Sequence, residues 1–404
     1  MFTKNQKSIF ISSAFFAVVI YIISIYRYAY NMPSGDDYDA VLWFLNQFVI
    51  SEPREKILLI LSQHNEHRIL LTRLLSIADF FIFEKINFVH LIWLGALGWF
   101  LSVIAFLRFS KNEGTNHIEY IPVIIIFLSF SHYEMMTWAM TSIQQYYQIF
   151  FALLAIGYMT TNRFWPSIIF YICAMFTSGG GICLAPLISL YYLTQKKWRE
   201  LIFSIVINLV VFLFYFVLLP YTAPASSKIL TTLEHPIIFI GFIMGFVGSV
   251  GNIQHLGDTS FLGFGFLLIF LFLFSAKKSY KQNSFLFWTC IYVLITAVLA
   301  ALNRSDAGIA MSVVSRYAEY SLLFLASTYL IYASNIKIGK QKKIFASLMF
   351  IFSALIFSYW YVIAIPHLDN MRHWLSNNLK THPAWDHAKS IKVESSRLGI
   401  FLHD

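Results

Sequence analysis

The stretch IFISSAFFAVVIYIISIYRYAY, residues 9–30, decides the fold, because it is apolar throughout apart from the single charge of Arg27. About 20 such residues in a helix cross the hydrocarbon core of a bilayer. A secretory signal has an apolar core of only roughly 7–15 residues, followed by a small-residue cleavage site. Neither feature of such a signal is present here. The segment is therefore expected to stay as an uncleaved helix, with Lys4 and Lys7 holding its N-terminus in the cytoplasm.

The same pattern recurs along the chain. Of 404 residues, 58% are hydrophobic and 12% charged, and mean hydropathy is +0.66. Soluble domains are about 25% charged, so the expectation is one all-α, polytopic membrane domain over residues 1–365 with a polar tail over 366–404. Candidate spans lie near 8–30, 86–107, 118–131, 146–160, 164–178, 182–194, 201–219, 260–276, 285–302, 317–335 and 344–365. That is about eleven crossings, within a range of ten to twelve. Residues 236–250, rich in Gly and Phe, read as a re-entrant or interfacial helix.

Basic turns orient the spans: Arg108 with Lys111; Lys196, Lys197 and Arg199; Lys277, Lys278 and Lys281; Lys337, Lys340, Lys342 and Lys343. The positive-inside rule puts them in the cytoplasm. The net charge of +9 then reflects topology, and no nucleic-acid partner is expected. Of the 20 acidic residues, three (Glu113, Glu119, Glu200) fall on inner segments and one (Glu319) within a span. The other 16 face outward. Acidic residues scarcely direct topology, so the outer face reads as the working face. Its two large regions are the loop 31–85, with amphipathic stretches 39–49 and 68–83, and the tail, which carries His367, His373, His382 and His387. Cys173, Cys183 and Cys290 sit in apolar stretches and suggest neither a disulfide framework nor a zinc site.

Chemistry is carried by few residues. In Pro33-Ser-Gly-Asp36-Asp37-Tyr-Asp39, Pro and Gly end the helix and leave carboxylates on a turn. One of Asp36 and Asp37 could act as general base while the other raises its pKa or orients a sugar. Asp37 and Asp39 also have the spacing of a divalent-metal site, although no cofactor is otherwise indicated. The bland reading is a solvated acidic turn that caps the next helix.

His64-Asn-Glu66-His67-Arg68, if helical, puts residues 64, 67 and 68 on one face suited to phosphate. The alternative is the wet face of an interfacial helix. Gln144, Gln145 and Tyr146 could hydrogen-bond and stack on a sugar, or belong to an aromatic belt. Arg304 and Arg316 could grip a lipid phosphate, although Arg316 and Glu319 are also spaced for an internal ion pair. The Thr177–Gly181 run lacks a P-loop ending and reads as a tight turn or a point of close backbone packing.

An early loop bearing Asp36-Asp37, followed by an Asn65-Glu66-His67-Arg68 segment and many later spans, resembles the GT-C class of integral-membrane glycosyltransferases. It is most similar to the bacterial O-antigen glucosyltransferases of serotype conversion. The resemblance covers the whole layout, but only residues 33–39 and 64–73 carry it specifically. It implies an inner-membrane enzyme with a periplasmic site. A polyprenyl-phosphate sugar would be the donor, a lipid-linked glycan the acceptor, and Asp36 or Asp37 the base of an inverting transfer. It implies further partners too, a flippase and a donor-synthesising glycosyltransferase. The chain lacks the large soluble C-terminal domain of the oligosaccharyltransferase branch, so a glycan acceptor is expected rather than a peptide. The rival classes are a transporter or flippase for lipid-linked sugar, and an O-antigen polymerase. Transporters usually show repeated halves and ionisable groups at the midplane, and neither pattern stands out here.

Overall fold

In the computed structural model the described residues are all-α apart from one two-residue strand pair. The structure describes residues 3–111, 115–222, 232, 234–257, 259–336, 339–380 and 386–401, without the side chains of 378–380. Glu113, Lys337 and His382 lie outside the described residues.

Helix α1 (Lys4–Tyr28) leads into the acidic turn and a π-helix (Tyr38–Trp43), then α2 (Phe44–Ile50) and α3 (Pro53–Leu61). A hairpin of β1 (Gln63–His64) and β2 (His67–Arg68) precedes α4 (Leu70–Phe83). Next come α5 (Phe88–Phe109), α6 (Tyr120–Phe127), α7 (Ala139–Thr160), α8 (Phe164–Thr177), α9 (Leu184–Thr194) and α10 (Trp198–Leu213). The chain finishes with α11 (Pro236–Gly248), α12 (Ser260–Gln282), α13 (Ser284–Arg304), α14 (Ala318–Asn335), α15 (Lys340–Lys380) and α16 (Asp386–Arg397).

Among the described residues six helical stretches are long and apolar enough to cross a bilayer: Lys4–Tyr28, Phe88–Phe109, Trp198–Leu218, Ser260–Gln282, Ser284–Ala307 and Lys340–Asn377. A pair bent by 53°, His117–Phe127 with Phe130–Met136, makes a seventh if it is one span. In Trp198–Leu218 only 17% of the apolar window is buried by protein, leaving Ile202, Ile205, Leu209 and Val210 exposed. Each would cost about 1.5–3 kcal/mol to hold in water rather than in an apolar phase, so this surface belongs in lipid.

The remaining expected crossings are helical but do not reach that standard. Helices α8 and α9 are short, α7 carries Gln144, Gln145 and Gln148, and α14 carries Glu319. Helix α11 has 13 residues, about 20 Å at 1.5 Å per residue, against a hydrocarbon core of about 30 Å. It lies close against α12: a Cβ on Gly248 would collide with the backbone of Phe261 and Gly265.

By its contacts the chain divides into two compact units. The first comprises residues 1–24, 103–133 and 226–365. Within it Phe10 stacks on Phe350 with ring centroids 4.0 Å apart. A buried Lys342–Glu119 ion pair at 3.4 Å fastens the start of α15, and a capping box at Asn116 holds the same glutamate in place.

The second unit comprises residues 25–102, 134–225 and 366–404. It gathers the acidic turn, the hairpin and the C-terminal segment. The tail is therefore not a loose polar appendage: α15 continues through Pro366 to Lys380, and α16 packs on the π-helix. The Asn46 amide donates to the Ile391 carbonyl at 3.2 Å and accepts from Ser395 Oγ at 2.8 Å. The Ile86 N–H donates to the Ile400 carbonyl at 2.8 Å.

Candidate functional site

The acidic turn is built around Gly35 and Asp37. Gly35 adopts φ +51°, and a Cβ there would stand 2.8 Å from Trp138 Cζ2. Both constraints require glycine. Gly35→Ala is expected to cost about 2 kcal/mol or more from left-handed strain and overpacking. The thermal unfolding midpoint in detergent checks this.

Asp37 is 1% exposed. Its Oδ2 accepts the Ser34 N–H at 3.0 Å and its Oδ1 accepts the Met140 N–H at 2.8 Å. Trp138, the residue preceding α7, supplies no side-chain cap. Asp37 therefore caps α7 from outside by accepting a backbone N–H of its first turn. Burial pushes its pKa up to about 7, with the Ser34 and Met140 N–H groups pulling the other way and Asp36 adding to the rise. Asp36 is half-buried, and among the described residues neither of its oxygens accepts a hydrogen bond. Asp39 bonds His387 Nε2 through Oδ1 at 2.9 Å.

Residues 63–68 form a hairpin rather than the expected helix, because Asn65 takes a left-handed φ of 48°, a conformation asparagine tolerates well. His64 and His67 are cross-strand partners on one face. Arg68, paired with Gln63, points to the other. The anticipated face of 64, 67 and 68 is thus split. Gly179 lies so close to His67 that a Cβ there would meet the imidazole, which explains the glycine run as a point of close packing. Glu66 is exposed at the hairpin tip.

Arg68 is 1% exposed. Its Nε and Nη2 both donate to the Tyr215 carbonyl, at 3.1 and 2.6 Å, and Nη1 donates to the Leu61 carbonyl at 2.6 Å. The edge that would grip a phosphate is already filled.

Arg73, which the sequence reading passed over inside an amphipathic stretch, is 2% exposed. It engages only Nη1, on the carbonyls of Leu59, Ile60 and Ser62 at 2.5–3.2 Å. Its Nε is buried without a partner, so among the described residues the Nε–Nη2 edge is unpaired, though enclosed by protein. Neither arginine pairs with a carboxylate there. Their counter-charge is the carbonyl ends of helices. Burial lowers the pKa of both, that of Arg73 to about 10, with Arg68 nearby contributing.

Burial also lowers the His64 pKa. Asp36, Asp39 and Glu66 oppose that shift, and Arg73 reinforces it. The charges of Asp36, Asp39, Glu66 and Arg73 thus all bear on His64.

Gln144 and Tyr146 are buried within α7 rather than flanking a span. Tyr146 packs on Trp99 at 5.1 Å, and Gln145 is half-buried. Gln144 lies one turn beyond Met140, and its buried amide nitrogen has no partner among the described residues. Arg304 and Arg316 belong to the first unit, close to Tyr317. Among the described residues no group of three or more His, Cys, Asp or Glu is arranged to hold a metal. Both oxygens of Asp37 are turned to backbone N–H groups. No protein-family model, curated protein or solved structure matches the chain.

Proposed function

We propose that this chain is a GT-C-type glycosyltransferase of the bacterial inner membrane. It moves a sugar, glucose by resemblance, from a polyprenyl-phosphate donor to a lipid-linked surface glycan at the periplasmic face. The observation that carries the reading is the contrast between two adjacent carboxylates. Asp37 is buried and committed to capping α7, while Asp36 is half-buried, accepts no hydrogen bond among the described residues and bears by its charge on His64. That leaves Asp36 available as the general base.

The reaction is an inverting displacement. Asp36 takes the proton of an acceptor hydroxyl as its oxygen attacks the anomeric carbon. The bond to the phosphate oxygen breaks on the opposite side, and polyprenyl phosphate leaves with the electron pair. Stabilising that phosphate is the main electrostatic demand. The unpaired Nε–Nη2 edge of Arg73, enclosed until donor enters, is the bidentate group we assign to it, with His64 within reach of its charge. Arg68 holds the hairpin in place. Arg73→Lys retains a charge but loses the fork. It is expected to raise the donor KM about tenfold or more while leaving the acceptor KM unchanged, as measured in proteoliposomes.

The cellular test compares surface polysaccharide with and without the gene by mass spectrometry and linkage analysis. A side-chain sugar present only with the gene supports transfer. Shortened chains without it would replace this reading with polymerisation, and loss of all surface glycan would replace it with export.

A further inference from the structure

The first-loop π-helix turns two unlike side chains outward. Asp39 is 46% exposed at its side chain and Trp43 is 40% exposed. Ala40, Val41, Leu42 and Phe44 are fully buried. In a π-turn, residues four apart return to nearly the same side, so the carboxylate and the indole form one open strip. A third group reaches this strip from the far end of the chain. His387, at the start of α16, meets Asp39 Oδ1 through Nε2 at 2.9 Å. The contact is not left to a loose tail: Asn46, 2% exposed, is bonded on both sides of its amide to Ile391 and Ser395 of the same helix. Three chemistries are thus presented together: a flat aromatic face, a carboxylate acceptor, and an imidazole whose other nitrogen faces no partner among the described residues.

We infer that Asp39, Trp43 and His387 form a binding site for a neutral glycan, completed by the C-terminal helix. The C–H face of a sugar ring stacks on the Trp43 indole, as an apolar surface on an aromatic platform. Its vicinal hydroxyls donate to Asp39 and exchange hydrogen bonds with the open nitrogen of His387. The site rests on the glycosyltransferase reading only in naming this glycan as the acceptor. Asp39 and Asp36 both act on the His64 charge, so a chain bound on the strip brings its hydroxyls toward the base. The rival account of an exposed Trp43 is an anchor at the membrane interface, which has no use for His387.

The test measures binding without transfer. Full-length protein in nanodiscs is titrated calorimetrically with oligosaccharides released by mild acid from the surface polysaccharide of cells carrying the gene. Wild type is expected to bind. Trp43→Ala and His387→Ala should each weaken binding about tenfold or more, the loss of one stacking or charge-assisted contact. Trp43→Phe should stay within about threefold of wild type. Glu394→Gln, on the solvent side of α16, should change nothing. Thermal unfolding midpoints confirm that each variant is folded. No binding by wild type, or equal binding by folded Trp43→Ala and His387→Ala, overturns the site. Binding that follows the expected pattern in a protein incapable of sugar transfer would leave the site standing and remove only the transferase reading.

Discussion

Asp36→Asn is expected to lower sugar transfer about 10²–10⁴-fold, the usual range for loss of a positioned base, with no change in protein level or thermal midpoint. The substitution keeps shape and volume. Among the described residues the Asp36 side chain makes no hydrogen bond that holds the fold, so only proton transfer is removed. Donor binding should survive, because the cationic groups are untouched. The check is single-turnover transfer from a radiolabelled polyprenyl-phosphate sugar in proteoliposomes. Full activity in folded Asp36→Asn would eliminate the assignment.

Asp37→Ala should behave in the opposite way and lose the fold first. It strips the acceptors from the Ser34 and Met140 N–H groups, and a buried orphan donor costs about 1–3 kcal/mol. A stability loss of roughly 2–5 kcal/mol at pH 5–6 follows, visible as a lower thermal midpoint and less protein in the membrane. The pH dependence has a definite sign. Folded Asp37 titrates near 7, above its ordinary value of 3.8, so between those values the folded chain holds a proton that the unfolded chain releases. Its contribution to stability is greatest in acid and declines as pH rises from about 4 to 7. The gap between wild type and Asp37→Ala should therefore narrow from pH 5 to pH 8. A gap that widens would contradict the burial argument.

The helical, membrane character of the chain was legible in residues 9–30 and 201–219, because a run of about 20 apolar residues has few other uses. The number of crossings was not. Hydropathy alone treats 146–160 and 317–335 as spans, whereas α7 and α14 bury Gln144, Gln148 and Glu319 in protein.

The acidic turn was found from its composition, but the division of labour between Asp36 and Asp37 needed Met140, about a hundred residues away in sequence. The hairpin was misread as helix because two-residue strands show no periodicity, and Asn65 was its only local signal. Arg73 was hidden for the same reason that it is interesting. On an amphipathic pattern it looks like a solvated charge, and only tertiary packing shows it buried with one edge unpaired among the described residues. The docking of α16 depends on Asn46 meeting Ser395, 349 positions apart, a contact that no local pattern announces.

The most direct measurement is sugar transfer by the purified wild-type chain in proteoliposomes that contain a polyprenyl-phosphate sugar and a lipid-linked glycan. The account predicts one polyprenyl phosphate released for each sugar joined to the glycan, with inversion at the anomeric carbon. Passage of intact lipid-linked sugar across the bilayer, with no sugar joined and no polyprenyl phosphate released, would contradict it.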